Sequence, residues 1–148
     1  MGFDLSRDNP LFALYAVHAT ILVLKMFLVT FLTGRQRFSK KAFANPEDVK
    51  GKAAKVKLDD PDVERVRRAH LNDLENIPAF LFVSFLYVLT SPDLGLATNL
   101  FRAFTIARIV HTFVYAVKPL PQPSRALAFG VGLITTAYMA LRVLLYFW

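Results

Sequence analysis

Arg68, Asn72 and Glu75 stand at i, i+4 and i+7, a spacing that puts three side chains on one face of a helix. Arg108, His111 and Tyr115 repeat the pattern at i, i+3 and i+7, and Arg37 and Arg125 add two further guanidinium groups. His70 and Asp73 point away from the Arg68 face. The set mixes donors, acceptors and a surplus of cations, which suits an anion that carries donors and acceptors of its own. Metal, nucleotide and serine-hydrolase chemistry find no support: the chain holds no His-x-x-x-His pair, no Gly-x-Gly-x-x-Gly or Walker loop and no Gly-x-Ser-x-Gly. It also has no cysteine, which excludes disulfides, thiolate metal sites and a cysteine nucleophile. Any sulfur chemistry must be brought in by a substrate.

The elements that hold these residues are apolar. Of 148 residues 55% are hydrophobic and 14% aromatic, and the mean hydropathy is +0.40, too apolar for an ordinary soluble domain of this length. The fold expected is an all-α membrane protein, a four-transmembrane-helix bundle forming a single domain over residues 1–148. Its helices are expected at about 10–36, 60–90, 94–117 and 124–147, each long enough for a hydrocarbon core of about 30 Å. Leu11 to Leu32 is longer than a signal-peptide core and is expected to stay as an anchor. Asp60-Pro61 reads as a cap followed by proline in the first turn, with Asp62 and Glu64 at the positive end of the helix dipole. Pro78 should kink this second helix and free the carbonyl of Leu74. The segment 37–59 reads as loop or short helix.

The net charge of +7 does not point to nucleic acid, because the basic residues flank apolar spans. Arg35, Arg37, Lys40, Lys41, Lys50, Lys52, Lys55, Lys57, Arg65, Arg67 and Arg68 are eleven of the 18 Lys and Arg residues, whereas the Ser91–Gly95 turn has none. Positive charge marks the cytoplasmic side. The 37–59 segment and the 118–123 loop are thus placed in the cytoplasm, and the charged ends of all four helices converge there. The simplest alternative is that the charges neutralise one another: Glu75 with Arg108 or Arg68, His111 with a backbone carbonyl, Arg37 with lipid phosphate. Lys25 and His18, on helix one, are weaker candidates, Lys25 being of the kind that pairs within a bundle. Cations still outnumber anions in the set, which leaves a place for an anionic ligand.

Four stretches in order carry a resemblance: Phe43–Asp48, Val63–Asn76, Ala107–Thr112 and Pro119–Leu127. They resemble the MAPEG family, the membrane-associated proteins of eicosanoid and glutathione metabolism, and the likeness spans essentially the whole chain. The resemblance implies a homotrimer in the endoplasmic reticulum membrane, the mitochondrial outer membrane being a second destination left open. It also implies glutathione as co-substrate, bound at each subunit interface on the cytoplasmic side. Arg37, Arg68, His70, Asn72, Glu75, His111, Tyr115 and Arg125 would contact glutathione, His70 serving a neighbouring site across the second helix. Arg125 would stabilise the thiolate, with Asp48 as its partner from the loop. Leu71 and Ala126 depart from the prostaglandin synthase branch of the family, which has arginine and serine there. Val49 replaces the cysteine through which thiol reagents activate the transferase branch, so that regulation is not expected here.

The activity implied is a membrane-bound glutathione S-transferase, with glutathione-dependent peroxidase activity on lipid hydroperoxides. Its other partners are hydrophobic electrophiles entering from the bilayer between helices one and four, and no nucleic acid. Two rivals stand beside it: a glutathione-dependent isomerase of the prostaglandin E synthase type, and a non-catalytic membrane adaptor whose polar cluster is structural.

Overall fold

The computed structural model describes residues 4–51 and 54–148. Four long helices dominate: α1 (Pro10–Lys40), α2 (Pro61–Leu89), α3 (Leu94–Thr112) and α4 (Ser124–Phe147). The chain of α3 continues for one π-helical turn, Phe113–Val117. By length and composition α1, α3 with its π turn, and α4 can each cross a membrane. At 29 residues α2 spans about 44 Å. Its first half carries Asp62, Glu64, Arg65, Arg67, Arg68, Asp73 and Glu75, so its apolar character is confined to the second half. The outer surface is rich in exposed Phe, Leu and Ile, including Phe27, Phe31, Phe82, Ile134 and Leu145, as a lipid-facing surface requires.

The helix ends follow local chemistry. Asn9 caps α1, its side-chain oxygen accepting from the Leu11 and Phe12 N–H groups at 3.0 and 3.3 Å. The helix runs four residues beyond the expected end, with Arg37 and Lys40 in the last turn, where cations meet the negative end of the dipole. Lys41 then closes it in the left-handed conformation, φ 51°. Asp60 caps α2 by accepting from Asp62 and Val63 N–H at 3.1 and 3.3 Å, and Pro61 is the first helical residue. Pro78 does not end α2, which is one helix on both sides of it.

Between α1 and α2 lies a feature the sequence does not announce. Ala42–Phe43 (β1) and Lys55–Val56 (β2) form a parallel pair, with a 3₁₀ turn at Pro46–Asp48 between them. Two residue pairs are too short to produce a readable alternation.

In cross-section α1 packs on α2 and α3, and α4 packs on the same two helices. This leaves α1 and α4 on the long diagonal. The core between them holds Leu22, Ile77, Phe80, Phe101, Phe104 and Met139. Phe80 stacks flat on Phe104 at 3.7 Å between ring centroids and meets Phe101 edge-on at 5.8 Å.

Candidate active site at the charged end of the bundle

The polar residues sort into three groups, arranged around α2. The first is a buried clamp. Asp73 is fully buried and accepts from Lys25 Nζ of α1 and, at 2.6 Å, from Arg108 Nη2 of α3. The Thr112 hydroxyl lies 3.5 Å from the same carboxylate, and Arg108 Nη2 also donates to Asn72 Oδ1 at 2.8 Å. One carboxylate thus ties three helices together. Sequence spacing sets Asp73 aside from the site and offers Glu75 as the partner of Arg108. The structure corrects both points. Glu75 is exposed, while Asp73 lies on the buried stripe Val66, Ala69, Asp73, Ile77, Phe80, Ser84. An acid at three- and four-residue spacing within an apolar stripe was the available signal. Lys25, ranked low from sequence, is its counter-ion.

The second group lies on one flank of α2, at the junction of α3 and α4. A cavity of about 250 Å³ is lined by Asn72, His111, Tyr115, Gln122, Arg125 and Phe129, among others. The π turn carries Tyr115, whose ring is tilted against His111 at 5.5 Å. The Arg125 guanidinium sits over the Tyr115 ring, 4.7 Å from its centroid. Arg125 is the second residue of α4, so it stands where free N–H groups and the helix dipole already favour negative charge. Gln122 takes up one of those donors, accepting from Ala126 N–H at 3.3 Å. Sequence reasoning passed over Gln122 and Phe129, because a proline-rich loop and an apolar helix face give neither a distinguishing period. Buried Arg125 Nε and His111 Nδ1 have no hydrogen-bond partner among the described residues. A histidine paired with a backbone carbonyl, as the neutralising alternative requires, is therefore not found. Asn72 accepts from Arg108 through its oxygen, which leaves its NH₂ as a donor beside this cavity.

The third group lies on the other flank of α2, against α1. Here Arg37, Arg67, Arg68 and His70 line a groove of about 520 Å³ together with Thr30 and Thr33. Arg67 is held by Glu64 at 2.7 Å, and Arg37 donates to the Ala42 carbonyl at 3.3 Å. Arg37 also borders the cavity under the 41–54 segment, where Asp48 lies. Asp48 accepts from Asn45 Nδ2 at 3.2 Å. Asp48 and Arg125 line different cavities.

The eight residues expected to contact glutathione are thus not gathered into one pocket by a single chain. Asn72, His111, Tyr115 and Arg125 meet on one flank of α2; Arg37, Arg68 and His70 meet on the other. Between the flanks runs an exposed stripe of α2 that includes Arg68, Leu71, Glu75, Pro78 and Phe82. The described residues offer no group of three His, Cys, Asp or Glu side chains able to hold a metal ion.

A four-helix membrane bundle with a cationic cleft at the start of its last helix defines a class, and the chain belongs to the MAPEG family, matching it over residues 15–145. Within that family it is 51% identical to microsomal glutathione S-transferase 1 of Bos taurus over 142 residues, 93% of this chain and 91% of that protein. The human protein of that name is 51% identical over the same shares. Human prostaglandin E synthase is 39% identical over 95% of this chain and 93% of its own length.

Proposed function

We propose that this protein is a membrane-bound glutathione S-transferase that ionises the glutathione thiol and directs it at hydrophobic electrophiles. Relatives at about half identity over nearly the whole chain carry that name. The observation that carries the mechanism is Arg125: a guanidinium braced on Tyr115 at the head of α4, with a buried Nε that has no partner among the described residues. A free thiol ionises near pH 8.5. Keeping it ionised at neutral pH takes a drop of about two units, roughly 2.7 kcal/mol of preference for the thiolate. A fixed guanidinium and a helix N-terminus in a poorly hydrated cleft are of that order.

Glutathione fits the remaining groups by chemistry: two carboxylates for the arginines, an ammonium for Glu75, amides for Asn72 and His111. When bound it supplies the nucleophile: the thiol proton passes to water, a C–S bond forms and the electrophile's leaving group departs with its electron pair. The chain's residues orient and stabilise. Arg125 holds the negative charge on sulfur, Tyr115 fixes Arg125, and the Asp73 clamp fixes Asn72 through Arg108. Asp48 is assigned as Arg125's partner from the loop of an adjacent subunit.

Three copies closing into a ring would bring the two flanks of α2 together, Arg37, Arg68 and His70 of one subunit facing Asn72, His111, Tyr115 and Arg125 of the next. Head-to-tail contacts close rings when the rotation permits. The split of the site supports this arrangement. It also moves the electrophile's route: α1 and α4 do not adjoin within a subunit, so a lateral entry between them lies between α4 of one copy and α1 of its neighbour. The charge asymmetry supports a cytoplasmic site, and the endoplasmic reticulum is the membrane assigned. Lipid hydroperoxides are a second substrate class: the thiolate attacks the terminal peroxide oxygen, the O–O bond breaks to release the lipid alcohol, and a second glutathione converts the sulfenic acid formed to disulfide and water.

Conjugation of glutathione to 1-chloro-2,4-dinitrobenzene by the detergent-solubilised protein, with thiolate absorbance followed in the ultraviolet, tests the reading. Saturable thiolate formation and turnover are expected. Absence of both defeats it.

A further inference from the structure

At the end of the bundle opposite the charged site, a cavity of about 590 Å³ opens where the α2–α3 turn meets the last turns of α4. Its walls carry one acid and one base, Asp93 and Arg142, and two phenols, Tyr87 and Tyr146. Although Asp93 and Arg142 face one cavity, none of the ion pairs among the described residues involves either. Asp93 spends one oxygen on the Leu96 N–H at 2.8 Å, capping α3, and keeps the other. Opposite charges held apart across a polar cavity match a ligand that carries both signs.

The surroundings sort those signs. Tyr146 is exposed and offers a ring face of the kind that attracts ammonium groups. Arg142 supplies the donor fork that suits a phosphate. The depth is also informative. With α2 about 44 Å long, its last turn lies a full bilayer, headgroups included, away from Pro61. Exposed Tyr146, Phe147 and Trp148 sit at the same end, as residues of an aromatic belt do.

From this geometry we infer that the cavity binds the headgroup of a zwitterionic phospholipid, its phosphate on Arg142 and its ammonium between Asp93 and the Tyr146 ring. The site shares no residue with the glutathione site.

The test is native mass spectrometry of the full chain released from detergent, titrated with phosphatidylcholine or phosphatidylglycerol and run without glutathione. Phosphatidylcholine is expected to be retained about tenfold more tightly than phosphatidylglycerol. Asp93→Asn, which keeps a capping side chain, is expected to erase that preference, and Arg142→Gln to weaken both lipids. Both variants should match wild type in gel-filtration profile and melting temperature in detergent, which serves as the check on folding. Equal retention of the two lipids by the wild type, or phosphatidylcholine binding unchanged in both variants, overturns the inference. So does competition by glycerophosphocholine at the same concentration as intact lipid, since that would make the occupant a soluble zwitterion. None of these readouts depends on glutathione chemistry, so failure here and failure of the transferase reading are separate results.

Discussion

Arg125 depends on its neighbours for the geometry it uses. Tyr115 braces its guanidinium, and the first turn of α4 adds the positive end of the helix dipole. Arg125→Ala should therefore leave glutathione binding largely intact, because the other cations hold the carboxylates, while lowering kcat by about a hundredfold or more. Arg125→Lys keeps the charge but loses the planar fork, so it should recover part of that loss. Equilibrium glutathione titration beside steady-state kinetics separates the two effects, and unchanged turnover in Arg125→Ala would move the thiolate role elsewhere. Asp73 acts differently, through stability. Asp73→Asn leaves Lys25 and Arg108 buried and unneutralised, and should cost about 3–5 kcal/mol in unfolding free energy in detergent. Adding Lys25→Met to Asp73→Asn should restore part of the loss, since one of the stranded cations is gone.

Among the elements, α2 carries most of the organisation: its cap sets where the charged half begins, its buried stripe holds Asp73, and its two flanks border two separate polar cavities. Burial of the Asp60 carboxylate opposes its charge, yet bonds from Val63 N–H, Lys57 and Asp62 N–H outweigh that and hold its pKa below the ordinary carboxylate value. A pKa lowered in the folded state means stabilisation that is present above the unfolded value and lost as pH falls through the folded one. Asp60→Ala should thus lower the melting temperature by a few degrees at neutral pH and have a smaller effect in strong acid. Thermal unfolding of both proteins across that pH range checks the sign. Further along α2, Phe80→Ala removes the ring stacked on Phe104 and should destabilise by about 3 kcal/mol or more.

For the whole molecule, the division of the site predicts complementation. His70→Ala damages one half-site and Arg125→Ala the other, and each alone should be nearly inactive. Co-expressed in equal amounts, the two chains should regain about a quarter of wild-type activity, because a head-to-tail ring pairs an intact half from one with an intact half from the other. A mixture no more active than its parents would place the complete site within a single subunit. The wide exposed apolar surface fits a bilayer.

Four apolar segments, the Asp60-Pro61 start and the proline-rich stop before α4 were legible in the chain itself, because hydropathy and helix caps depend on residues near one another in sequence. His111 and Tyr115 were legible as neighbours on one helix face for the same reason: helical spacing is a local property. That Asn72 and Arg125 border the same cavity depends on how α2 and α4 pack on α3. Which charge would meet which was not legible. Asp73 and Glu75 are two residues apart and chemically alike, yet one lies fully buried between two cations and the other faces outward. Only the packing of α1, α2 and α3 around a common core distinguishes them, since burial and ion pairing are settled by distances between residues 35 to 48 positions apart.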